Sequence, residues 1–338
     1  MIFKTNVAIN GFGRIGRATF KALIEKKGIK VVAINDLTDT ETLAHLFKYD
    51  SCYGTYPGKV SHTKDCIVVD GIKYQVYAEK DPKNLPWKTL KVDVVVESTG
   101  RFVKADDAGL HIEAGAKKVV ISAPGKGDIK TVVLGVNEEK LLKSDKVFSM
   151  ASCTTNCLAP VTAVIEREFG ILKAIMSTVH SYTADQNLID SPHRDLRRAR
   201  AAGLNIIPTT TGAAIAVTET IPKLKGKFDG MAMRVPTPTG SLCDVTFVTK
   251  KKVTAEQVNA AIVKATKEAK LKGILTATKE PIVLADIVGN PASSIVDLEL
   301  TKVVDGDLLK IVAWYDNEWG YSNRLADICE FVAKKKLL

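Results

Sequence analysis

The sequence predicts an α/β protein of two domains, in which a doubly wound parallel sheet is followed by an α+β domain with a mixed or antiparallel sheet. Three observations lead to this prediction. The chain has 338 residues, more than one hydrophobic core usually supports. Short Val/Ile runs alternate with helical patterns before Met150, as in βαβ units. After Met150 the strands are longer and alternate apolar with polar residues, which favours antiparallel pairing.

The elements of the first half follow from apolar β runs and from helical spacing. The strand NVAIN ends in a glycine turn, and a helical pattern begins directly after that turn. Later Val/Ile runs are of the kind that parallel sheets bury on both faces. The pattern predicts strands at 6–10, 30–36, 92–99, 118–123 and 131–136, and helices at 14–27 and 42–49.

The second half is predicted to combine long strands with amphipathic helices. Thr254 is a suitable N-cap for one of these helices, with Glu256 and Gln257 in its first turn. Strands are expected at 174–183, 241–250 and 308–316, and helices at 158–169, 254–269 and the C-terminus. We expect domains of residues 1–151 and 152–317, with the terminal helix 318–338 packing back on the first domain.

Composition places the chain among ordinary soluble enzymes. Hydrophobic residues make up 46% and charged residues 25% of the sequence. No apolar run approaches the roughly 18 residues of a membrane span. The start, MIFKTNVAINGFG, lacks the basic head and long apolar middle of a signal peptide. These observations predict a cytoplasmic protein.

The net charge of +10 has two readings. A nucleic-acid binder would concentrate basic and aromatic residues in one stripe. Here the basic residues are spread out, and the longest runs, 250–252 and 334–336, are short. We therefore expect a basic field that attracts anionic substrates and cofactors, and no nucleic acid as the primary partner.

The stretch GFGRIG at 11–16 predicts a dinucleotide site of the Rossmann type. It follows a strand, opens a helix, and is followed by Asp36 at the end of the next β run. Gly11 permits the tight turn, Gly13 lets the backbone approach a pyrophosphate, and Gly16 allows close helix packing. Because Asp36 can accept hydrogen bonds from ribose hydroxyls and repels a 2′-phosphate, the predicted cofactor is NAD rather than NADP.

Cys153 and Cys157, in the stretch CTTNC, could form a metal clip, a redox couple or a disulfide, or include one nucleophile. No second Cys or His pair stands at zinc-ligand spacing, so no metal is expected. Redox couples prefer C-x-x-C, and six cysteines in a reducing compartment argue against a disulfide framework. Cys153 precedes a helical segment, where the helix N-terminus stabilises a thiolate. Cys153 is thus the predicted nucleophile and Cys157 a reduced structural residue.

A thiol nucleophile needs a base or a cation beside it. Among five histidines, His180 follows an apolar β run and is expected to emerge at a strand end. Catalytic side chains concentrate at such ends. His180 is therefore the first candidate for the base, and His193 is the second.

Seven motifs, in order along the whole chain, resemble the family of phosphorylating glyceraldehyde-3-phosphate dehydrogenases. They are INGFGRIGR (9–17), ASCTTNCLAP (151–160), HSYT (180–183), HRDLRRARAA (193–202), IIPTTTGAA (206–214), MRVPTP (233–238) and WYDNEWGYSNR (314–324). The resemblance implies that Cys153 attacks the aldehyde, that His180 acts as base, and that a thioester is released by inorganic phosphate.

The resemblance also implies three binding sites and a quaternary structure. The cofactor site is assigned to Gly11, Gly13, Arg14, Ile15, Gly16, Asp36, Lys80, Ser122 and Asn317. Thr183 and Arg234 are assigned to the substrate phosphate; Ser152, Thr154, Thr211 and Gly212 to the attacking phosphate; and Arg198 lies near both. The segment 181–208 resembles a loop that reaches a neighbouring subunit, which implies a homotetramer.

Three alternatives stay open at this level. The sister family of erythrose-4-phosphate dehydrogenases releases a free acid, but Asp36, Tyr182, Thr183 and Gly212 favour the phosphorylating family. Ser191 stands where NAD-specific relatives often carry Leu, which leaves room for residual use of NADP. A reactive Cys153 thiolate could also act as a redox sensor.

Overall fold

The computed structural model describes residues 5–338, so residues 1–4 of the predicted first domain lie outside the described residues. The chain forms two compact units. The first comprises the chain to Val132 with Glu139–Ala151 and Ser322–Leu338, and the second comprises Val133–Glu138 with Ser152–Tyr321. Among the described residues, no helix is both long and apolar enough to span a membrane.

The first unit is built on a nine-stranded, mostly parallel sheet. The strands of this unit are β1 (Thr5–Asn10), β2 (Ile29–Asn35), β3 (Tyr49–Asp50), β4 (Gly54–Thr55), β5 (Val60–His62), β6 (Cys66–Val69), β7 (Ile72–Tyr77), β8 (Val94–Glu97), β9 (Lys118–Ile121), β10 (Lys130–Thr131) and β11 (Val147–Ser149). Of these, β3 and β4 form a separate two-stranded hairpin, and the other nine form the sheet. The sheet order is β10-β11-β9-β8-β1-β2-β7-β6-β5. Among the described residues, the antiparallel pairings of this sheet are those of β5 with β6 and of β6 with β7.

Three helices of the first unit connect these strands: α1 (Arg14–Ile24), α2 (Thr40–Lys48) and α3 (Ala105–Glu113). A core cluster that includes Trp87, Val95, Ala108 and Val119 is buried beside the sheet. The sequence predicted this alternation because parallel strands covered on both faces read as continuous apolar runs.

The second unit contains a seven-stranded mixed sheet, as the sequence predicted. Its elements are α4 (Cys153–Glu168), β12 (Ile171–Ser181), β13 (Ile207–Thr209), α5 (Ala213–Thr220), β14 (Phe228–Val235), β15 (Ser241–Thr249), α6 (Ala255–Ala265), β16 (Leu275–Thr278), α7 (Leu284–Ile287), β17 (Ser294–Val304) and β18 (Leu308–Tyr315). The order is β13-β14-β12-β15-β18-β17-β16. Helix α8 (Trp319–Lys334) ends the chain's regular structure, and Lys26 Nζ binds its Asp327 at 2.6 Å.

Helix α6 forms as its sequence signals predict. Thr254 caps it, and the side-chain oxygen of Gln257 accepts a hydrogen bond from the Thr254 N–H, which completes a capping box. The helix ends at Ala265, four residues before the predicted limit at 269.

One predicted strand was wrong. The apolar run at 131–136 is a strand only at Thr131, the end of β10, and then turns. The side chain of Asn137 accepts a hydrogen bond from the Val133 N–H at 2.8 Å, and Gly135 has a φ of +84°. Val132 and Val133 are fully buried, so these residues are apolar because of burial and not because of strand pairing.

Two glycines at the start of α1 differ in how much space surrounds them. A Cβ on Gly16 would stand 2.0 Å from the carbonyl oxygen of Gly11, so only glycine allows α1 to pack at this distance. A Cβ on Gly13 would meet nothing within 4 Å, and its φ of −69° suits any residue. Gly16 is therefore required by packing, whereas Gly13 leaves open space.

Replacing Gly16 by Ala is expected to destabilise the protein by at least about 2 kcal/mol, because backbone must move to relieve the clash. The matched control, Gly13→Ala, should change the free energy of unfolding by less than about 0.5 kcal/mol. Urea denaturation of both variants measures this difference. Equal stability of the two variants would contradict the packing role of Gly16.

Candidate active site

Cys153 is the first residue of α4. Ser152 caps this helix, since its hydroxyl oxygen accepts a hydrogen bond from the Thr155 N–H at 3.1 Å. The preceding residue, Ala151, has a φ of +55°, which marks a sharp turn into the helix. The Cys153 thiol thus lies at the positive end of the helix dipole, where a thiolate is stabilised.

His180 is the histidine that the fold brings to this thiol. It is the second-last residue of β12, and its Nε2 lies 3.4 Å from Cys153 Sγ. His193, the second candidate base, instead accepts a hydrogen bond from the Asp195 N–H at Nδ1, at 2.9 Å. The structure therefore pairs Cys153 with the first candidate.

Two groups compete for the other ring nitrogen of His180. The Ser181 carbonyl oxygen lies 2.7 Å from Nδ1, and the Arg234 guanidinium lies 2.8 Å from it. A carbonyl can only accept and a guanidinium can only donate, so Nδ1 satisfies one of them at a time. A bond to Ser181 leaves Nε2 able to take a proton from Cys153, whereas a bond from Arg234 places the proton on Nε2.

Burial dominates the protonation of the pair. It raises the pKa of the Cys153 thiol to about 11, although the Arg234 charge acts in the opposite direction. Burial, followed by the Arg234 charge, lowers the pKa of His180 to about 3, and the Ser181 carbonyl opposes this shift. These shifts favour a neutral thiol beside a neutral imidazole. A proton that moves from the thiol to the imidazole creates opposite charges 3.4 Å apart, and each of these charges stabilises the other.

Arg234 supplies a positive charge at this site. It lies on β14 opposite His180 in the sheet register, and no carboxylate among residues 5–338 is paired with it. Its buried Nε has no hydrogen-bond partner in the part of the chain that the structure describes. Arg198 differs, since Asp185 and Asp195 hold it at 2.8 and 3.1 Å. An anion could therefore pair with Arg234 directly, whereas at Arg198 it would have to compete with Asp185 and Asp195.

The residues assigned to the phosphate sites differ in the hydrogen bonds that they can still donate to an anion. Thr211 Oγ1 accepts from the Ala213 N–H at the start of α5, at 3.2 Å, so its O–H remains available. Gly212, the N-cap of α5, leaves open space where a Cβ would be. Thr183 follows the end of β12, and its N–H donates to Gln186 at 3.4 Å.

Tyr315 is a buried partner of Thr154 that the sequence analysis did not identify. Its hydroxyl lies 2.9 Å from both Thr154 Oγ1 and Thr178 Oγ1. Because Thr178 donates to the Leu242 carbonyl, the Tyr315 hydroxyl donates to Thr178 and accepts a hydrogen bond from the Thr154 hydroxyl. Thr154 is thus left with its backbone N–H for binding an anion. The motif WYDNEWGYSNR contains Tyr315, but only the fold shows its partner.

The glycine turn opens onto a cavity of about 490 Å³ in the first unit. Its lining residues are Asn10, Gly11, Gly13, Asn35, Asp36, Leu37, Glu79, Lys80, Ser98, Thr99, Arg101 and Phe102. Asp36 also accepts a hydrogen bond from the Phe12 N–H at 2.7 Å, which ties it to the turn. Open space at Gly13, the N-terminus of α1 and a carboxylate at the end of β2 fit a dinucleotide.

The remaining residues assigned to the cofactor lie outside this cavity's lining. Ile15 and Gly16 lie in the first turn of α1, Arg14 binds Asp50 at 3.2 Å, and Ser122 follows the end of β9. Asn317 belongs to the second unit, where its Oδ1 accepts hydrogen bonds from the Gly240 N–H and from Ser241.

Eight of the lining residues were not identified from the sequence, and four of these, Ser98, Thr99, Arg101 and Phe102, follow β8. The sequence did contain a signal for these four residues. They follow the run VDVVVE, and the carboxyl ends of neighbouring parallel strands meet where ligands bind. What the sequence lacks is the sheet order, in which β8 is adjacent to β1.

Comparisons with known proteins agree with this geometry. The family model described as glyceraldehyde 3-phosphate dehydrogenase, NAD binding domain, matches residues 5–105, and the model of the C-terminal domain matches residues 152–317. Proteins named glyceraldehyde-3-phosphate dehydrogenase from Geobacillus stearothermophilus and Streptomyces coelicolor are each 55% identical to this chain. The alignments cover 98% of this chain and 99% of the first relative, and 97% and 98% for the second.

The chain belongs to the glyceraldehyde-3-phosphate dehydrogenase family. The predictions of this family, of the fold class, of an oxidoreductase and of NAD as its cofactor are confirmed. Another member, from Zymomonas mobilis, is 52% identical over 97% of this chain. The roles of individual site residues stay predictions, and the contacts described above are their support.

Replacing His180 by Asn is expected to slow the alkylation of Cys153 by iodoacetamide at least about tenfold at pH 7, because the thiol loses its proton acceptor. Without this acceptor the thiol must lose its proton to solvent, so the rise of the rate with pH should move upward. His193→Asn is the matched control and should behave as wild type. An unchanged pH profile in His180→Asn would show that the contact with Cys153 has no role in activation.

Proposed function

We propose that this enzyme oxidises D-glyceraldehyde 3-phosphate with NAD and inorganic phosphate, giving 1,3-bisphosphoglycerate and NADH. One observation carries this proposal. A helix-terminal cysteine lies 3.4 Å from a strand-end histidine, beside an arginine that lacks a carboxylate partner among the described residues. Such a site suits an aldehyde that carries its own negative charge.

The first step joins Cys153 to the aldehyde. The thiol gives its proton to His180 Nε2, and sulfur forms a bond to the aldehyde carbon. The aldehyde oxygen takes up negative charge, then a proton, and becomes the hydroxyl of a hemithioacetal. The Cys153 N–H at the helix N-terminus and the His180 imidazolium are the donors proposed for that charge.

The second step converts the hemithioacetal to a thioester. His180 takes the hydroxyl proton while the carbon loses hydride. Bound NAD supplies the acceptor for this hydride. The covalent C–S bond is needed because it turns the aldehyde carbon into one that carries both a hydrogen and an ionisable hydroxyl.

In the last step inorganic phosphate attacks the thioester carbonyl. The new C–O bond replaces the C–S bond, and Cys153 leaves as a thiolate that recovers a proton from His180. We propose Arg234 and Thr183 for the substrate's phosphate. Ser152, Thr154, Thr211 and Gly212 are proposed for the attacking phosphate, with Arg198 near both, and Tyr315 suggests that Thr154 acts through its N–H.

The decisive experiment follows NADH absorbance with D-glyceraldehyde 3-phosphate and NAD, with and without inorganic phosphate. Sustained turnover should require phosphate. Cys153→Ser should reduce kcat by at least about 10³-fold, because an alcohol is a far weaker nucleophile near neutral pH. Cys157→Ser, one helical turn further along, is the matched control and should keep activity.

Two outcomes would contradict the proposal. Turnover that is indifferent to phosphate would mean that water releases the thioester, as in the sister family. Near-normal turnover of Cys153→Ser would exclude it as the nucleophile.

We further propose that the chain assembles into a homotetramer. In the segment 181–208, five large apolar side chains are 69% to 84% exposed: Leu188, Ile189, Leu196, Leu204 and Ile206. Exposed apolar side chains grouped in one segment are typical of interaction surfaces. We also propose a cytoplasmic location for the protein and domain limits at residues 151 and 317.

Replacing Leu196 and Leu204 together by Glu is expected to give a smaller assembly than wild type, measured by sedimentation velocity. Two charges would then enter a surface that must be desolvated on assembly. Leu142→Glu, at a 55% exposed position in the first unit, is the control and should leave the assembly intact. A wild-type protein that sediments as a monomer would contradict the proposal directly.

A further inference from the structure

Behind the wall of the NAD cavity lies a network of buried polar groups that the chemical steps do not use. Glu97 ends β8, is 1% exposed, and accepts four hydrogen bonds. On Oε1 the donors are the Thr99 N–H at 2.9 Å and the Thr99 hydroxyl at 2.5 Å. On Oε2 they are Asn10 Nδ2 at 2.5 Å and His111 Nε2 at 3.1 Å. Only an ionised carboxylate can accept from all four.

Trp87 determines which ring nitrogen of His111 carries the proton in this network. Its indole N–H can only donate, and it donates to His111 Nδ1 at 2.9 Å. Nδ1 is therefore an acceptor, and the proton of the neutral imidazole must lie on Nε2, which faces Glu97. Both His111 and Trp87 are fully buried, so water cannot replace either partner.

The network ends on groups that line the cavity. Asn10 and Thr99 are lining residues, whereas Glu97, His111 and Trp87 are not. Asn10 Oδ1 also accepts from Asn35 Nδ2 at 2.7 Å, and Asn35 exchanges two hydrogen bonds of 2.9 Å with the backbone of Glu79. Two lining residues, Asn10 and Thr99, are thus oriented directly by Glu97, which is outside the lining, and Asn35 is oriented through its bond to Asn10.

We propose that Glu97, His111 and Trp87 are positioning residues for the cofactor. They hold Asn10, Asn35 and Thr99 in one hydrogen-bonding pattern towards the part of NAD beside Asp36. A wall that already has its bound arrangement loses less conformational entropy when the ligand enters. This inference rests on the use of NAD in the proposed function, but it concerns cofactor affinity and not the chemistry at Cys153.

The sharpest variant is Glu97→Gln, which keeps the shape of the side chain. The amide NH₂ must face either the two Thr99 donors or the Asn10 and His111 donors, so one pair loses its acceptor. We expect the Kd of NAD, measured by calorimetry, and its KM to rise about tenfold. The value of kcat at saturating NAD should stay within about twofold of wild type, because the reacting groups are untouched.

A double-mutant cycle tests the role of the His111 proton. In Trp87→Phe, Nδ1 loses its donor, so the ring can carry its proton there and accept at Nε2. Alone, this change should raise the Kd of NAD about threefold, because His111 then adopts both arrangements. Combined with Glu97→Gln, it lets His111 accept from the new amide, so the double variant should bind NAD more tightly than the product of the single effects predicts.

The matched control is Asp297→Asn in the second unit. Asp297 is also a buried carboxylate bonded to an indole, since it accepts from Trp314 Nε1 at 3.2 Å. This change should lower the unfolding temperature and leave the Kd of NAD unchanged. A similar rise in Kd for the control would show that loss of stability, and not positioning, explains the Glu97 effect.

Other results would also overturn the proposal. A kcat that falls in step with kcat/KM in Glu97→Gln would point to the chemical step. Strictly multiplicative effects in the cycle would refute the coupling through His111. If Glu97→Gln does not fold, an unchanged Kd in Trp87→Phe still refutes it. If the wild-type protein binds NAD but makes no NADH, the proposed function is wrong, and the Kd measurements still test the positioning role.

Discussion

The contact between Cys153 Sγ and His180 Nε2, at 3.4 Å, is the constraint on which the chemistry of this protein depends. Its two atoms come from different kinds of element. The thiol is at the start of α4, where free backbone N–H groups favour negative charge, and the imidazole is at the end of β12, held by the sheet. Both groups are screened from water, and that screening penalises charge on either one alone. Activation therefore depends on moving a proton within the pair.

We propose that Arg234 makes this pair selective for an anionic substrate. The Arg234 guanidinium has no carboxylate partner among the described residues, and it lies beside a partly buried thiol and a buried imidazole, so its positive charge is not neutralised. An anionic substrate removes that imbalance when it binds, so the positive charge that lowers the pKa of His180 is compensated as the reaction begins. Arg198, already held by two carboxylates, is closer to a structural residue until an anion competes for it.

The cofactor cavity uses a different principle from the catalytic site. Its walls combine backbone geometry with side chains such as Asn10 and Thr99, which Glu97 holds by hydrogen bonds from outside the lining. Gly16 permits close packing, Gly13 leaves room, and the Glu97 carboxylate orders the polar groups around it. Buried polar groups of this kind are tolerated only when every donor finds an acceptor.

By itself the sequence determined the fold class and the family, and it supplied the predictions for most of the proposed site residues, because local signals carry all three. Apolar runs with period 2 or 3.6, the GFGRIG turn and the Thr254 cap act over a few neighbours, and the seven motifs carry the family's site residues. The same locality explains the failure at 131–136, where burial in a turn produces the same apolar run as a strand.

Only the tertiary structure decided which residues meet. It paired Cys153 with His180 and not with His193, gave Thr154 a partner in Tyr315, and joined Glu97 to His111 and Trp87 behind the cavity. These contacts depend on strand order and register. No property of one sequence segment specifies the distance to another segment.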